Sequence, residues 1–247
     1  FASAGIAGAL YGSGTRPILC VVALFLEYLA PSIGYRLPWL GRSTTADWDV
    51  EGGHLAERCG LFIIIALGES ILVTGATFGA LEGTAADLAA FASAFVGSVA
   101  MWWIYFNIGA ETASRHISTS ADPGRVARLS YTYIHLLLVA GIIVTAVTAV
   151  ADELTLAHPT GHTDLATMAT GLGGPALYLV GNILFKRTIT GRSPLSHLAG
   201  LLILALLVPL SFAVSPLLLS VASTVALVIV AAWEGVSLRR QPAAPVA

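Results

Sequence analysis

Glu69 stands in the stretch His54-Leu-Ala-Glu57-Arg58-Cys-Gly-Leu-Phe-Ile-Ile-Ile-Ala-Leu-Gly68-Glu69-Ser70, midway along an apolar run long enough to cross a bilayer. A charge at that depth costs from about 2.5 kcal/mol upward, so Glu69 is expected to face a helix bundle or a wet cavity. Written as a helix, the run places Glu69 roughly 16 Å beyond Arg58, near the midplane. Eleven residues at about 100° each return the chain to within about 20° of the same face. Arg58, Phe62, Ala66 and Glu69 therefore form one stripe, with a cation at its mouth and a carboxylate at its centre. His54, Glu57 and Arg58 share an adjacent patch, close enough to pair on one helix face. That patch is either an interfacial ion pair that fixes helix register or the cytoplasmic gate of a proton or ion path ending at Glu69.

Glu27 lies roughly 12 Å inside the cytoplasmic end of its own apolar run. Two deep carboxylates facing each other would raise at least one pKa, and could then exchange a proton near neutrality or hold a cation. The alternative is that each is satisfied locally and only packs. Asn107, Glu111, His135, Asn182 and His197 add polar groups toward the cytoplasmic half of the expected spans. His135 is a candidate relay partner, because imidazole titrates at physiological pH, or else a hydrogen-bonded interior residue. Glu234 reads as interfacial. His158 and His162 are four residues apart in an acidic loop, which is a weak metal pattern. No metal and no cofactor are expected. Enzyme signatures are missing, and Gly68-Glu69-Ser70 sits mid-helix rather than on the strand–turn–helix of a nucleophile elbow. The chain is read as a non-enzyme with no catalytic residues.

The elements that hold these groups follow from composition. Of the 247 residues, 56% are hydrophobic and only 11% charged, against about 25% charged in an ordinary soluble domain. Several apolar runs reach the roughly 20 residues that span a bilayer as helix. The expected fold is an all-α polytopic bundle of about seven spans, the first incomplete. Residues 1–11 read as the tail of a truncated helix, with spans near 17–36, 56–79, 87–109, 128–150, 165–186, 195–213 and 216–236. Residues 1–238 form one transmembrane domain, a fragment of a larger one, and 239–247 a cytoplasmic tail. Pro175 and Pro209 fall inside spans, where membrane helices tolerate a kink. Gly8-xxx-Gly12, Gly75-xxx-Gly79 and Gly171-x-Gly173-Gly174 are expected to permit close helix packing. Trp102, Trp103 and Tyr105 fit an interfacial aromatic belt, with an ammonium cage as the rarer use of such rings. Cys20 and Cys59 fall on different helices and read as free thiols.

Charge placement gives the orientation. Eleven of the 12 Lys and Arg residues, Lys186 and Arg187 among them, fall in alternate connections or the C-terminal tail, and Arg16 is the exception. By the positive-inside rule these connections and the C-terminus are cytoplasmic. The intervening loop at 151–164 carries Asp152, Glu153 and Asp164 instead. A net charge of −2 gives no sign of nucleic-acid binding.

The run from His54 through Glu57-Arg58, Gly60-Leu61-Phe62 and Leu67-Gly68-Glu69-Ser70 resembles the signature of the bacterial low temperature requirement A family. The segment Trp102-Trp103-x-Tyr105-Phe106 agrees as well. Cys59 departs from it, standing where an aromatic residue is more usual. The family's N-terminal part, with its acidic Leu-Phe-Phe-Asp-like motif, has no counterpart here. The resemblance implies an integral membrane protein with transport as the expected role, and attaches no established chemistry to His54, Glu57, Arg58, Gly68, Glu69 and Ser70. The leading expectation is thus a proton- or ion-coupled transporter or permease of the bacterial inner membrane, working through Glu69, Glu27, Ser70 and His135. Its partners would be the lipid bilayer and an unidentified small solute or ion, with homo-oligomerisation left open. The rival is a non-transporting membrane protein for cold adaptation, assembly or sensing.

Overall fold

Runs of Leu, Ile, Val and Ala of this length satisfy their backbone polar groups in lipid within a single segment only as helix. A computed structural model describes residues 16–34, 45, 50–107, 117, 119–150 and 162–239, all helical or in turns and connections. The helices are α1 (Arg16–Ser32), α2 (Gly52–Gly79), α3 (Ala85–Phe106), α4 (Pro123–Ala127), a π-helical turn Arg128–Ile134, α5 (His135–Val150), α6 (Leu165–Thr190), α7 (Leu195–Ser211) and α8 (Pro216–Arg239). The expectations for residues 1–11, Arg36, Arg42, Glu111, Arg115, His158 and the tail 240–247 lie outside the described residues, as does most of the 151–164 loop.

The all-α membrane fold stands, with one correction to its span count. Among the described residues five helices are long and apolar enough to cross a membrane: Gly52–Gly79, Ala85–Phe106, Pro123–Thr148, Leu165–Thr190 and Pro216–Ser237. Helices α1 and α7 have 17 residues each. At 1.5 Å per residue that is about 25 Å, short of a hydrocarbon core of about 30 Å. The expected count of about seven is therefore too high. The outer surface agrees with lipid as solvent. Ile65, Leu72, Leu202 and Leu206 are each more than 60% exposed, an apolar display that water would not tolerate over a large patch.

The chain divides into two compact units, residues 1–50 with 121–125, and residues 51–120 with 126–247. In the first, α1 carries Glu27 on an exposed position, and the Thr45 hydroxyl donates to Asp122 at 2.9 Å. In the second, six helices close a ring in the order α2, α3, α8, α7, α6, α5 and back to α2. The ends of these helices are set by ordinary capping chemistry. Thr84 and Asp87 form a reciprocal capping box at the start of α3. Asp164 caps α6 by accepting the Thr167 amide at 2.7 Å, which holds its carboxyl below the usual range. Gly191 ends α6 with φ +70°, a left-handed position that favours glycine.

Helices α5 and α6 pack most intimately, and glycines make that possible. A Cβ on Gly141 would lie 2.6 Å from the Tyr178 amide nitrogen, and one on Gly174 would lie 2.6 Å from that of Thr145. Gly174 thus does the close packing expected of its cluster, whereas Gly173 meets nothing within 4 Å. Gly75-xxx-Gly79 is corrected: Gly79 faces open space, and the nearest group to Gly75 is Phe91 at 3.9 Å. The spacing is there, but no neighbouring backbone comes up against it.

Pro175 sits inside α6, and the helix runs through it. Because proline has no N–H, the Gly171 carbonyl loses its helical donor. The Ser223 hydroxyl of α8 supplies the replacement at 3.0 Å. Ser223→Ala should therefore cost about 1–3 kcal/mol, the penalty for an unsatisfied buried carbonyl. In a Pro175→Ala background the amide returns, and the same substitution should be nearly neutral in thermal denaturation. Equal losses in both backgrounds would refute this account of the replaced hydrogen bond.

Candidate functional site

The helix ring encloses polar groups that membrane burial makes costly unless they are paired. The strongest set lies toward one end of α6. Tyr178, Asn182 and Lys186 are spaced four apart, so they share one face, and all three are buried. Lys186 extends to the Glu234 carboxylate of α8 and forms an ion pair with it. The same ammonium donates to the Ile104 carbonyl of α3 at 3.2 Å and to Nε2 of His197 at 3.3 Å. An ammonium only donates, so Nε2 accepts; the neutral ring then carries its proton on Nδ1 and donates to Ser196 Oγ at 3.1 Å. Tyr178 donates to the Met101 carbonyl at 2.6 Å, and Asn182 to the Tyr178 carbonyl at 3.0 Å. Two acceptors remain unused, Glu234 Oε2 and Asn182 Oδ1, both buried and without a hydrogen-bond partner among the described residues.

Beside this cluster the π-helical turn builds a second one. His135 Nδ1 donates to the Ser130 carbonyl at 2.7 Å, which leaves Nε2 to accept from the Tyr105 hydroxyl at 2.9 Å. Tyr131 stacks on the imidazole with ring centres 5.0 Å apart, and Phe185 meets it edge-on at 5.0 Å. The Cys59 thiol points to the Tyr131 carbonyl at 3.9 Å. π-Turns are rare in helices and recur at functional sites. Here a carbonyl of the turn accepts a hydrogen bond from an imidazole. The clusters adjoin in sequence on two helices, Ile104 beside Tyr105 and Phe185 beside Lys186.

The residues singled out in the sequence fall into three places. Arg58, Phe62 and Glu69 are exposed and Ala66 half-buried, so the stripe shares one face as expected. That face is the flank of the ring rather than its interior. Glu69 borders an apolar groove between α2 and α5, lined by Phe62, Ile65, Val73, Val139 and Ile143. His54, Glu57 and Arg58 are exposed and form no ion pair with one another. Ser70, the next residue after Glu69, turns inward to a cavity rich in hydroxyls. The helix stays continuous through Gly68, so the glycine breaks nothing. His135 is interior and hydrogen-bonded through both ring nitrogens. Glu27 belongs to the first unit. Cys20 and Cys59 are free.

Two placements are corrected. Lys186 is not a loop cation, because α6 runs to Thr190 and carries it inside. Glu234, read as interfacial, is 7% exposed and paired with that lysine. Tyr105 leaves the aromatic belt for the interior, while Trp102 and Trp103 stay 42% exposed. The helix-stop signal for α6 is Gly191, five residues past the first cation, followed by Pro194. That signal, rather than the charge pair Lys186-Arg187, marks the end and could have located the buried lysine.

A ring of six apolar helices, five of them long enough to cross a membrane, around a paired charge cluster defines an all-α polytopic integral membrane protein. Residues 2–232 match the family of the bacterial low temperature requirement A protein, LtrA. The chain belongs to that family. It is also 38% identical over 235 residues to an uncharacterised protein of Rhizobium meliloti (strain 1021), covering 95% of this chain and 56% of that one. The chain thus spans just over half the length of that relative. No solved structure matches it.

Proposed function

We propose that this chain is the helix ring of a proton- or ion-coupled transporter of the bacterial inner membrane, with its C-terminus cytoplasmic. The observation that carries the reading is the Lys186–Glu234 pair with His197. Buried ionisable groups are expensive in a bilayer and mark ion or substrate paths more often than packing. Glu234 keeps one carboxylate oxygen without a partner, so a proton or small cation has an acceptor there. Glu69 is the second intramembrane carboxylate of the proposal, positioned on the groove where a mobile helix or a solute could reach it. The orientation rests on the cation-rich connections.

The exposure of Glu69 also favours a second reading, in which the carboxylate docks another helix and the protein serves assembly or sensing in the cold. Proton and cation flux in proteoliposomes separates the two. Transport predicts flux from the reconstituted full chain that falls at least about tenfold in Glu69→Gln or Glu234→Gln at matched folding, a loss of about 1.4 kcal/mol in rate terms. No flux from any form, with Glu69→Gln only less stable, would favour the docking role and end the transport proposal.

A further inference from the structure

We infer that the hydroxyl-lined cavity at the centre of the ring binds one small monovalent cation. The cavity lies where α2, α3, α5, α6 and α8 meet, and residues of all five helices line it. Its volume open to the centres of water-sized molecules is about 40 Å³. A single water needs roughly 10–15 Å³ by this measure, so an ion with one or two waters fits and an organic solute does not.

The direction of the hydroxyl protons selects the charge of the occupant. Thr74 donates to the Ser70 carbonyl at 2.7 Å, Thr145 to Gly141 at 2.7 Å, and Thr148 to Val144 at 3.2 Å. Ser98 donates to Ala94 at 3.1 Å, Ser223 to Gly171 at 3.0 Å, and Thr224 to the Ser93 carbonyl at 3.2 Å. A hydroxyl has one proton and two lone pairs. With six protons spent on backbone carbonyls, the lining offers the cavity acceptors and few donors. An anion needs donors and finds too few. No carboxylate lines the space, so a divalent ion lacks the charged ligands it commonly takes. A dehydrated alkali ion needs only a shell of neutral oxygens, as rings of carbonyls in ion-selective pores supply. Pro175 adds to that shell: lacking an N–H, it releases the Gly171 carbonyl from the helical ladder, and Gly171 lies in the cavity wall.

This site is separate from the Lys186–Glu234 pair and does not depend on transport. Binding is read at equilibrium, while the transport proposal is read by flux, so either can fail alone. The test is thermal unfolding of the full chain in nanodiscs, in LiCl, NaCl, KCl or choline chloride at equal ionic strength. One alkali cation should raise Tm by about 2–4 °C at roughly five times its dissociation constant, and the effect should saturate. Thr148→Val keeps the methyl packed against Gly171 and removes one ligand oxygen; Ser98→Ala removes a second. The double variant should melt normally in choline and lose the cation increment. Identical melting in all four salts would mean that the cavity holds water alone, and would overturn the site. So would a cation increment that survives in the double variant.

Discussion

Lys186→Ala is expected to destabilise the protein by about 3–5 kcal/mol, because it leaves the Glu234 carboxylate buried without its partner. Glu234→Ala should do the same from the other side, because the bonds the ammonium keeps to Ile104 and His197 cannot compensate its charge. Removing both charges at once should recover most of the loss, since Lys186→Met with Glu234→Leu leaves an apolar pair of similar volume. A double-mutant cycle of Lys186→Met, Glu234→Leu and the two together, measured by denaturant or thermal unfolding in nanodiscs, should therefore show strong coupling. Losses that add within about 0.5 kcal/mol would mean that the two groups do not interact. The double variant also separates structure from function. It should fold, and under the transport proposal it should carry no flux; a folded variant with full flux would make the pair a specificity device for packing.

Gly174→Ala should be among the most disruptive one-methyl changes open to the described residues. Its Cβ would sit 2.6 Å from the backbone nitrogen of Thr145, and a backbone atom cannot rotate away as a side chain can. Relief requires α5 and α6 to separate, which breaks the packing of Gly141 on Tyr178 as well. Overpacking costs typically 1–3 kcal/mol and more when backbones must move, so a loss at or above about 3 kcal/mol is expected. Gly173→Ala, one residue away, meets nothing within 4 Å. It should be neutral or stabilise by up to about 1 kcal/mol, from the better helix propensity of alanine. Unfolding of the two variants side by side checks this, and equal effects would show that the α5–α6 contact is not held by the glycines. Because the same contact sets Thr145 at the cavity wall, Gly174→Ala should also lose the cation dependence of Tm.

Much of this architecture is legible in local chemistry. Helices α2, α3, α6 and α8 begin and end within a few residues of where apolar runs, Thr84, Asp164, Gly191 and Pro216 place them. The reason is that span length, capping and charge exclusion are properties of short stretches, and bilayer insertion acts on each span in turn. The shared face of Arg58, Phe62 and Glu69 is also a local property, since the period of the helix alone determines it. Periodicity says which residues share a face, however, and not which way that face turns. Only the packing of α5 and α3 against α2 put Ser70 inside and Glu69 on the flank.

The pairing of Lys186 with Glu234, 48 residues apart, was beyond any local reading. Nor could the chain as a string reveal that Ser223 would replace the amide that Pro175 lacks, or that hydroxyls from separate helices would converge on one cavity. These are distances between elements, fixed by which small residues let backbones approach and which helices become neighbours in the ring. The amino-acid sequence by itself determined that this is a helical membrane protein of the LtrA family, because burial of backbone in lipid admits few alternatives. The tertiary structure decided which of its polar groups are paired, because an ion pair or a cavity exists only once distant helices have met.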